Sequence, residues 1–234
     1  MAPASHARTP TPMPTPRRPN PPHGIEPPLD PELILQAYLQ GCFPMADHRH
    51  GPVRWYSPDP RAILPLDGLR VSRSLRRRLA RGDYHISFDA AFENTIRACA
   101  QPRPYARDTW INDQIIHAYI HLHHRGFAHS VEAWHRGGGP HRPDTLAGGL
   151  YGLSIGGAFF GESMFTRATD ASKVCLVHLV EHLRQLGFQL LDTQTANAHM
   201  ARLGIVEISR CDYLQRLRCA VQCGAGWAPP QPVK

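Results

Sequence analysis

Two spacings of apolar residues divide the chain. Pro31 to Gly41 (PELILQAYLQG) reads as a short amphipathic helix, with Asp30 as N-cap, Pro31 at the first helical position and Gly41 as the stop. Val71 to Gly82 (VSRSLRRRLARG) reads as a second helix between the cap-like Ser72 and the closing Gly82, with Leu75 and Leu79 marking its apolar side. Tyr84 to Phe88 alternates with a period of two as a strand does, and Asp89 to Ala100 follows as a helix. Asp108-Thr109-Trp110-Ile111 caps the next helix, which runs through Tyr119 to about His124. Ala128 to Trp134 and Thr145 to Leu153 are antiparallel strands, joined as a hairpin by the Gly- and Pro-rich stretch Arg136 to Asp144. Gly157 to Gly161 adds a third strand. A helix from about Ser172 to Leu186, opened at Asp170 and stopped by Gly187, leads into the buried strand Phe188 to Asp192. His199 to Leu203 is a short helix, and Gly204 to Ile208 a final strand or loop. Three meander strands, a helix and a further strand predict an α+β fold, a mixed sheet with helices on its faces.

Composition adds constraints at the ends and on the surface. Residues 1–28 are dense in Pro, Thr and Arg (TPTPMPTPRRPNPPHG), too poor in apolar side chains to fold, and are expected to form a disordered or polyproline-like leader. The 234 residues carry a formal charge of +7, which favours a polyanionic partner. Nucleic acid ranks ahead of a membrane, because no long apolar span is present. Five arginines (Arg73, Arg76, Arg77, Arg78, Arg81) fall within nine residues, and no acid interrupts them. Such a run is either a solvated face or a grip on a phosphate backbone. The six cysteines are scattered without a CxxC pair, and no secretory signal is visible, so reduced thiols in a cytosol are expected. His117/His121 and His178/His182 are spaced i, i+4 but lack the acidic third partner of a metal motif, and no metal site is expected.

Candidate chemistry concentrates in two places. Gly161-Glu162-Ser163-Met164-Phe165 sets a carboxylate and a hydroxyl at the end of an apolar run, and Leu191-Asp192-Thr193-Gln194 sets a carboxylate beside an amide at the end of another. Polar groups so placed need partners or a substrate. Trp55 to Arg61 (WYSPDPR) stands aromatics beside rigid prolines, equally suited to a braced core and to a binding surface.

Taken together, Phe43-Pro44, WYSPDPR, Asp108 to Ile111, His129-Ser130-Val131-Glu132, Gly148-Gly149-Leu150-Tyr151-Gly152, GESMF, Ala171-Ser172-Lys173, Asp192-Thr193-Gln194 and Leu203-Gly204 through Asp212-Tyr213-Leu214 closely resemble the leucyl/phenylalanyl-tRNA–protein transferases, in the same order over roughly residues 30–228. The resemblance implies a small N-terminal domain (29–70), a GNAT-like acyltransferase domain (71–228) with a mixed, largely antiparallel sheet, and a short tail (229–234). It implies movement of leucine, and less readily phenylalanine or methionine, from tRNA to an N-terminal Arg or Lys, with no cofactor, in a cytoplasmic monomer. The product carries an N-degron.

The same resemblance distributes roles. Asp192 and Gln194 match positions cast as a proton relay. A Gln side chain is a very weak base, so positioning of amine and carbonyl is the preferred reading, with Asp192 orienting Gln194 and favouring a cationic acceptor. Glu162 matches a carboxylate near the bound aminoacyl end. Leu150, Phe159, Met164, Leu176 and Leu191, with Ser163, match the surroundings of the apolar side-chain pocket; each is also an ordinary core residue by type. Trp110 and Tyr119 match aromatics that hold the terminal adenosine. Arg61, Arg73, Arg76, Arg77 and Arg81 are expected on the tRNA. Met45 stands where many members have Trp. Two other readings remain: an acyl-CoA-dependent GNAT N-acyltransferase, for which no pyrophosphate loop is found, and a non-catalytic RNA-binding protein, which leaves Glu162, Asp192 and Gln194 without a task.

Overall fold

The computed structural model describes residues 28–102, 108–135, 144–196 and 198–230. The expected leader (1–28), apart from its last residue, most of the hairpin loop and the last four residues of the tail lie outside them. In chain order the elements are α1 (Pro31–Leu39), β1 (Phe43–Ala46), β2 (Val53–Tyr56), β3 (Arg61–Ile63), α2 (Arg73–Arg81), β4 (His85–Phe88), α3 (Phe92–Cys99), α4 (Asp113–His124), β5 (Ala128–His135), β6 (Thr145–Ile155), β7 (Ala158–Thr166), α5 (Ala171–Gln185), β8 (Leu190–Gln194), α6 (Ala198–Ala201), β9 (Val206–Ile208) and α7 (Arg210–Gln222).

Most helix ends follow the local chemistry. The Asp30 carboxylate accepts from the Glu32 amide at 2.9 Å, and Ser72 Oγ accepts from the Leu75 amide at 3.2 Å. Gly82 closes α2 in the left-handed region, at φ 63°. The cap of α4 differs from expectation. Asn112, rather than Asp108, accepts from the Ile115 amide (3.0 Å), whereas Asp108 accepts from the amides of Arg49 and Thr109 and fastens the β1–β2 turn. Helix α7 is absent from the sequence reading. Its signals are Ser209, which accepts from the Asp212 amide, and the buried spacing Tyr213, Leu217, Ala220.

β1 and β2 form an antiparallel hairpin of their own. The other strands make one seven-stranded sheet in the order β4-β5-β6-β7-β8-β3-β9, antiparallel throughout except for β7 and β8. That parallel pair requires a crossover, and α5 supplies it. β3 lies inside the span expected to be the small domain, yet it pairs with β8 and β9 in the large sheet.

Side chains alternate across the sheet into two cores. Tyr151, Leu153, Ala158, Phe160 and Leu190 face α1, α3, α4 and α7. Leu150, Phe159, Leu191 and Val131 face α5 and α2. The first of these faces holds the polar network described next.

Candidate active site

β7 and β8 pair at three positions only, Ala158↔Leu190, Phe159↔Leu191 and Phe160↔Asp192. Beyond Phe160 the strands part, and GESMF and Thr193-Gln194 stand on opposite sides of the split. On its other edge β7 carries an irregularity. Tyr151 pairs with Ser163 and Gly152 with Gly161, which leaves Glu162 as the extra residue of a β-bulge. This strand, expected to end at Gly161, continues to Thr166; Glu162, two residues beyond Phe160, faces the first core, and the bulge brings Ser163 opposite Tyr151.

There Glu162 Oε1 accepts from the Tyr38 hydroxyl at 2.5 Å and from Gln194 Nε2 at 2.9 Å. The Tyr38 and Tyr119 hydroxyls lie 2.7 Å apart. Glu162 Oε2 has no hydrogen-bond partner among the described residues, and neither do the Tyr151 hydroxyl and Thr193 Oγ1. Burial disfavours the charged carboxylate and, against the pull of the donors from Tyr38 and Gln194, pushes its pKa up to about 7. Burial and the same carboxylate hold the Tyr38 and Tyr119 hydroxyls well above the usual phenol range, so both remain protonated donors.

Asp192 is fully engaged on the far side of Gln194. Arg61 grips it with Nε at 3.0 Å and Nη2 at 2.6 Å, the Tyr213 hydroxyl donates at 2.8 Å, and the Gln194 amide donates at 2.8 Å. Gln194 sits at φ 66°, a region that residues other than glycine rarely occupy. Burial would lower the Arg61 pKa, but the Asp192 carboxylate more than offsets this and raises it.

Several expected roles meet a different placement. Arg61 is 1% exposed, so it reaches no external phosphate; its counter-ion is Asp192. Both Asp192 oxygens are correspondingly engaged, and none is open to a cationic acceptor. Tyr119 is fully buried, its hydroxyl on Tyr38, and presents no ring face for stacking on adenosine. Trp110 is half-buried at the surface of the first core, as Met45 is, and its carbonyl accepts from the Ala46 amide at 3.0 Å. Leu150, Phe159, Leu176 and Leu191 are buried in the second core, on the sheet face opposite Tyr38; Met164 packs against that core half-buried, and Ser163 is half-buried beside the split. Surface cavities lined by Asp89 to Asn94 with His123, and by Gln189 with Asp212 and Cys219, include no member of the Glu162 network.

The arginine helix does present a basic face. Arg73, Arg76 and Arg77 are exposed without an acidic partner among the described residues. Arg78 and Arg81 are offset from outside the run: Asp83 takes both, at 2.7 and 2.9 Å, and Asp170 lies 3.7 Å from Arg78. No helix among the described residues is long and apolar enough to cross a membrane.

Sequence reasoning did not single out Tyr38, Tyr213 or the true partner of Arg61. A signal existed for the last, because Arg61 opens the apolar run Ala62-Ile63-Leu64, and a cation heading a buried strand needs a buried anion.

Fold and site first define a class: a two-part α+β enzyme whose ionisable centre lies where the two parallel strands of an otherwise antiparallel sheet separate. Comparison with known proteins narrows it. Residues 63–218 match the family model for leucyl/phenylalanyl-tRNA protein transferase, and residues 28–59 match the model for the N-terminal domain of the same enzyme. Proteins named leucyl/phenylalanyl-tRNA–protein transferase are similar along most of their length. The one from Chlorobaculum parvum is 52% identical over 81% of this chain and 94% of its own. That from Salinibacter ruber is 49% identical over 86% and 84%, and that from Gloeobacter violaceus 51% identical over 82% and 94%. The chain belongs to the leucyl/phenylalanyl-tRNA–protein transferase family and is a transferase.

Proposed function

We propose that the protein moves leucine, and also phenylalanine or methionine, from its tRNA to the α-amine of an acceptor protein beginning with Arg or Lys, so marking that protein for proteolysis. The observation that carries the reading is the Glu162–Gln194 contact of 2.9 Å at the point where β7 and β8 part. In the reaction the amine nitrogen attacks the ester carbonyl carbon, a C–N bond forms, and the C–O bond to the terminal ribose breaks. Glu162 takes the surplus amine proton on Oε2, the buried oxygen that no described residue occupies, and returns it to the ribose oxygen, which restores the carboxylate. A group titrating near 7 serves both as base and as acid beside an amine of pKa about 7.7–8. Gln194 positions amine and carbonyl through its amide, and orientation contributes much of the acceleration because the ester is already an activated donor.

The aminoacyl side chain enters at the split beside Ser163 and Met164, a flexible residue suited to side chains of different shape, above the Leu150, Phe159, Leu176 and Leu191 layer. Trp110 and Met45 border the terminal adenosine, and Arg73, Arg76 and Arg77 carry acceptor-stem phosphates. The protein acts as a cytoplasmic monomer without a cofactor. The test offers [14C]leucyl-tRNA to peptides that begin with Arg, Lys or Asp. Label is expected in the first two peptides only. Labelling from an acyl-CoA donor instead, or RNA binding with no transfer at all, would overturn the reading.

A further inference from the structure

The clamp on Asp192 has more structure than a buried ion pair needs. Asp192 Oδ1 accepts from Arg61 Nε and the Gln194 amide, and Oδ2 from Arg61 Nη2 and the Tyr213 hydroxyl. An ionised carboxylate offers about four acceptor sites, so none is left for a substrate. Arg61 is held just as fully: Nη1 donates to the Gly41 carbonyl at 3.0 Å, and the Phe43 and Tyr213 rings lie 4.8 and 4.5 Å from its guanidinium carbon. The clamp therefore gathers the end of α1, β1, β3, β8 and α7 around one anion. What that anion holds is the backbone of Gln194, in the left-handed conformation that sends its amide to Glu162.

We propose that Arg61 and Tyr213 are positioning residues for the transfer: they fix Asp192 as a static anion whose grip on the Gln194 amide aims that side chain at Glu162. The proposal rests on the function given above and assigns Asp192 an anchoring task in it, with no proton passing through it. Lysine would not substitute for Arg61, because a point charge on a flexible stem cannot reproduce two parallel donors to the carboxylate and a third to Gly41.

The test measures steady-state transfer of leucine to an Arg-starting peptide by the wild type, Tyr213→Phe and Arg61→Lys, and by Tyr213→Phe in a Gln194→Ala background. Tyr213→Phe keeps the ring against the guanidinium and removes one donor. The expected result is a drop in kcat of about tenfold for Tyr213→Phe. KM for aminoacyl-tRNA should stay close to wild type, and the melting temperature should fall by only a few degrees, leaving the variant folded at the assay temperature. In the Gln194→Ala background the same substitution should cost nothing further, because its route to the reaction is already cut. Arg61→Lys should lose more kcat than Tyr213→Phe, again at constant KM; if that variant does not fold, Tyr213→Phe and its double variant decide alone. Equal losses in both backgrounds, undiminished kcat in Tyr213→Phe, or a loss in Arg61→Lys that appears as a raised KM would each overturn the proposal. A wild type that transfers nothing would instead strike the proposed function itself.

Discussion

Glu162 combines a buried carboxylate, one oxygen already taken by Tyr38 and Gln194, and one without a partner among the described residues. Its pKa of about 7 ties stability and activity to pH in opposite directions. The folded-state value lies above the ordinary 4.5, so the favourable contribution of the neutral acid is complete below pH 4.5 and is lost as pH rises through 7. That loss is on the order of 3 kcal/mol. Under the proposed function activity runs the other way, since Glu162 must be ionised to accept the amine proton. Below neutrality the logarithm of the transfer rate should climb with a slope near two, one proton leaving Glu162 and one the acceptor amine. For Glu162→Gln the slope should be near one, and the rate lower by about 10²–10⁴. Single-turnover rates between pH 5.5 and 8.5 check this, and melting curves over the same range should fall with pH in the wild type more than in the variant. At this scale the sequence showed which residues carry chemistry but not what they face. Glu162, Asp192 and Gln194 were visible as polar groups ending apolar runs. Tyr38 and Tyr213 were hidden among apolar neighbours at helical spacing, where a phenol ring reads as core until its hydroxyl finds a carboxylate.

Among elements, the β6–β7–β8 group decides the geometry. The three paired positions of β7 and β8 fix the depth of the split, and the bulge opposite Tyr151 and Gly152 leaves Glu162 unpaired in β7. Gly152 permits this approach. A methyl there would lie 2.3 Å from the Phe160 carbonyl oxygen and 2.4 Å from Phe159 Cε1. Gly152→Ala should therefore destabilise the fold by about 1–3 kcal/mol, read from urea unfolding, and slow transfer disproportionately by shifting β7. Alternating residues made the strands legible, but a bulge is one unpaired residue, and nothing in period-two spacing distinguishes it. Helix α7 carried a legible signal, Tyr213, Leu217 and Ala220 at i, i+4 and i+7 behind the Ser209 cap, but that stripe is narrow, and the strand-like run Ile205 to Ile208 before it drew the segment toward a strand or loop. Helix α2 was legible in full except for Asp83, two residues past its end, which takes Arg78 and Arg81 out of the free basic face. Arg77→Ala should raise KM for aminoacyl-tRNA and reduce the salt slope of binding by about one. Asp83→Ala should steepen that slope and tighten tRNA binding, because two guanidiniums are released; filter binding across a salt series measures both.

For the whole molecule, the small N-terminal part and the large sheet meet at the site. α1 delivers Tyr38 to Glu162, and the carbonyl of Gly41 at its end steadies Arg61. The fold class, the mixed sheet with a crossover helix and the order of most elements could be read from periodicity and turn residues. The separation of β7 from β8 could not, because it arises from pairing between segments about thirty residues apart. The central claim is that acyl transfer takes place at this separation, beside Glu162 and Gln194, while the arginine helix only binds. The most direct measurement is leucine transfer from charged tRNA to an Arg-starting peptide by wild type and Gln194→Ala, with tRNA affinity measured in parallel. The account predicts transfer by the wild type, a loss of about a hundredfold in the variant, and the same tRNA affinity in both. Undiminished transfer by Gln194→Ala, or an equal loss of tRNA binding, would contradict it.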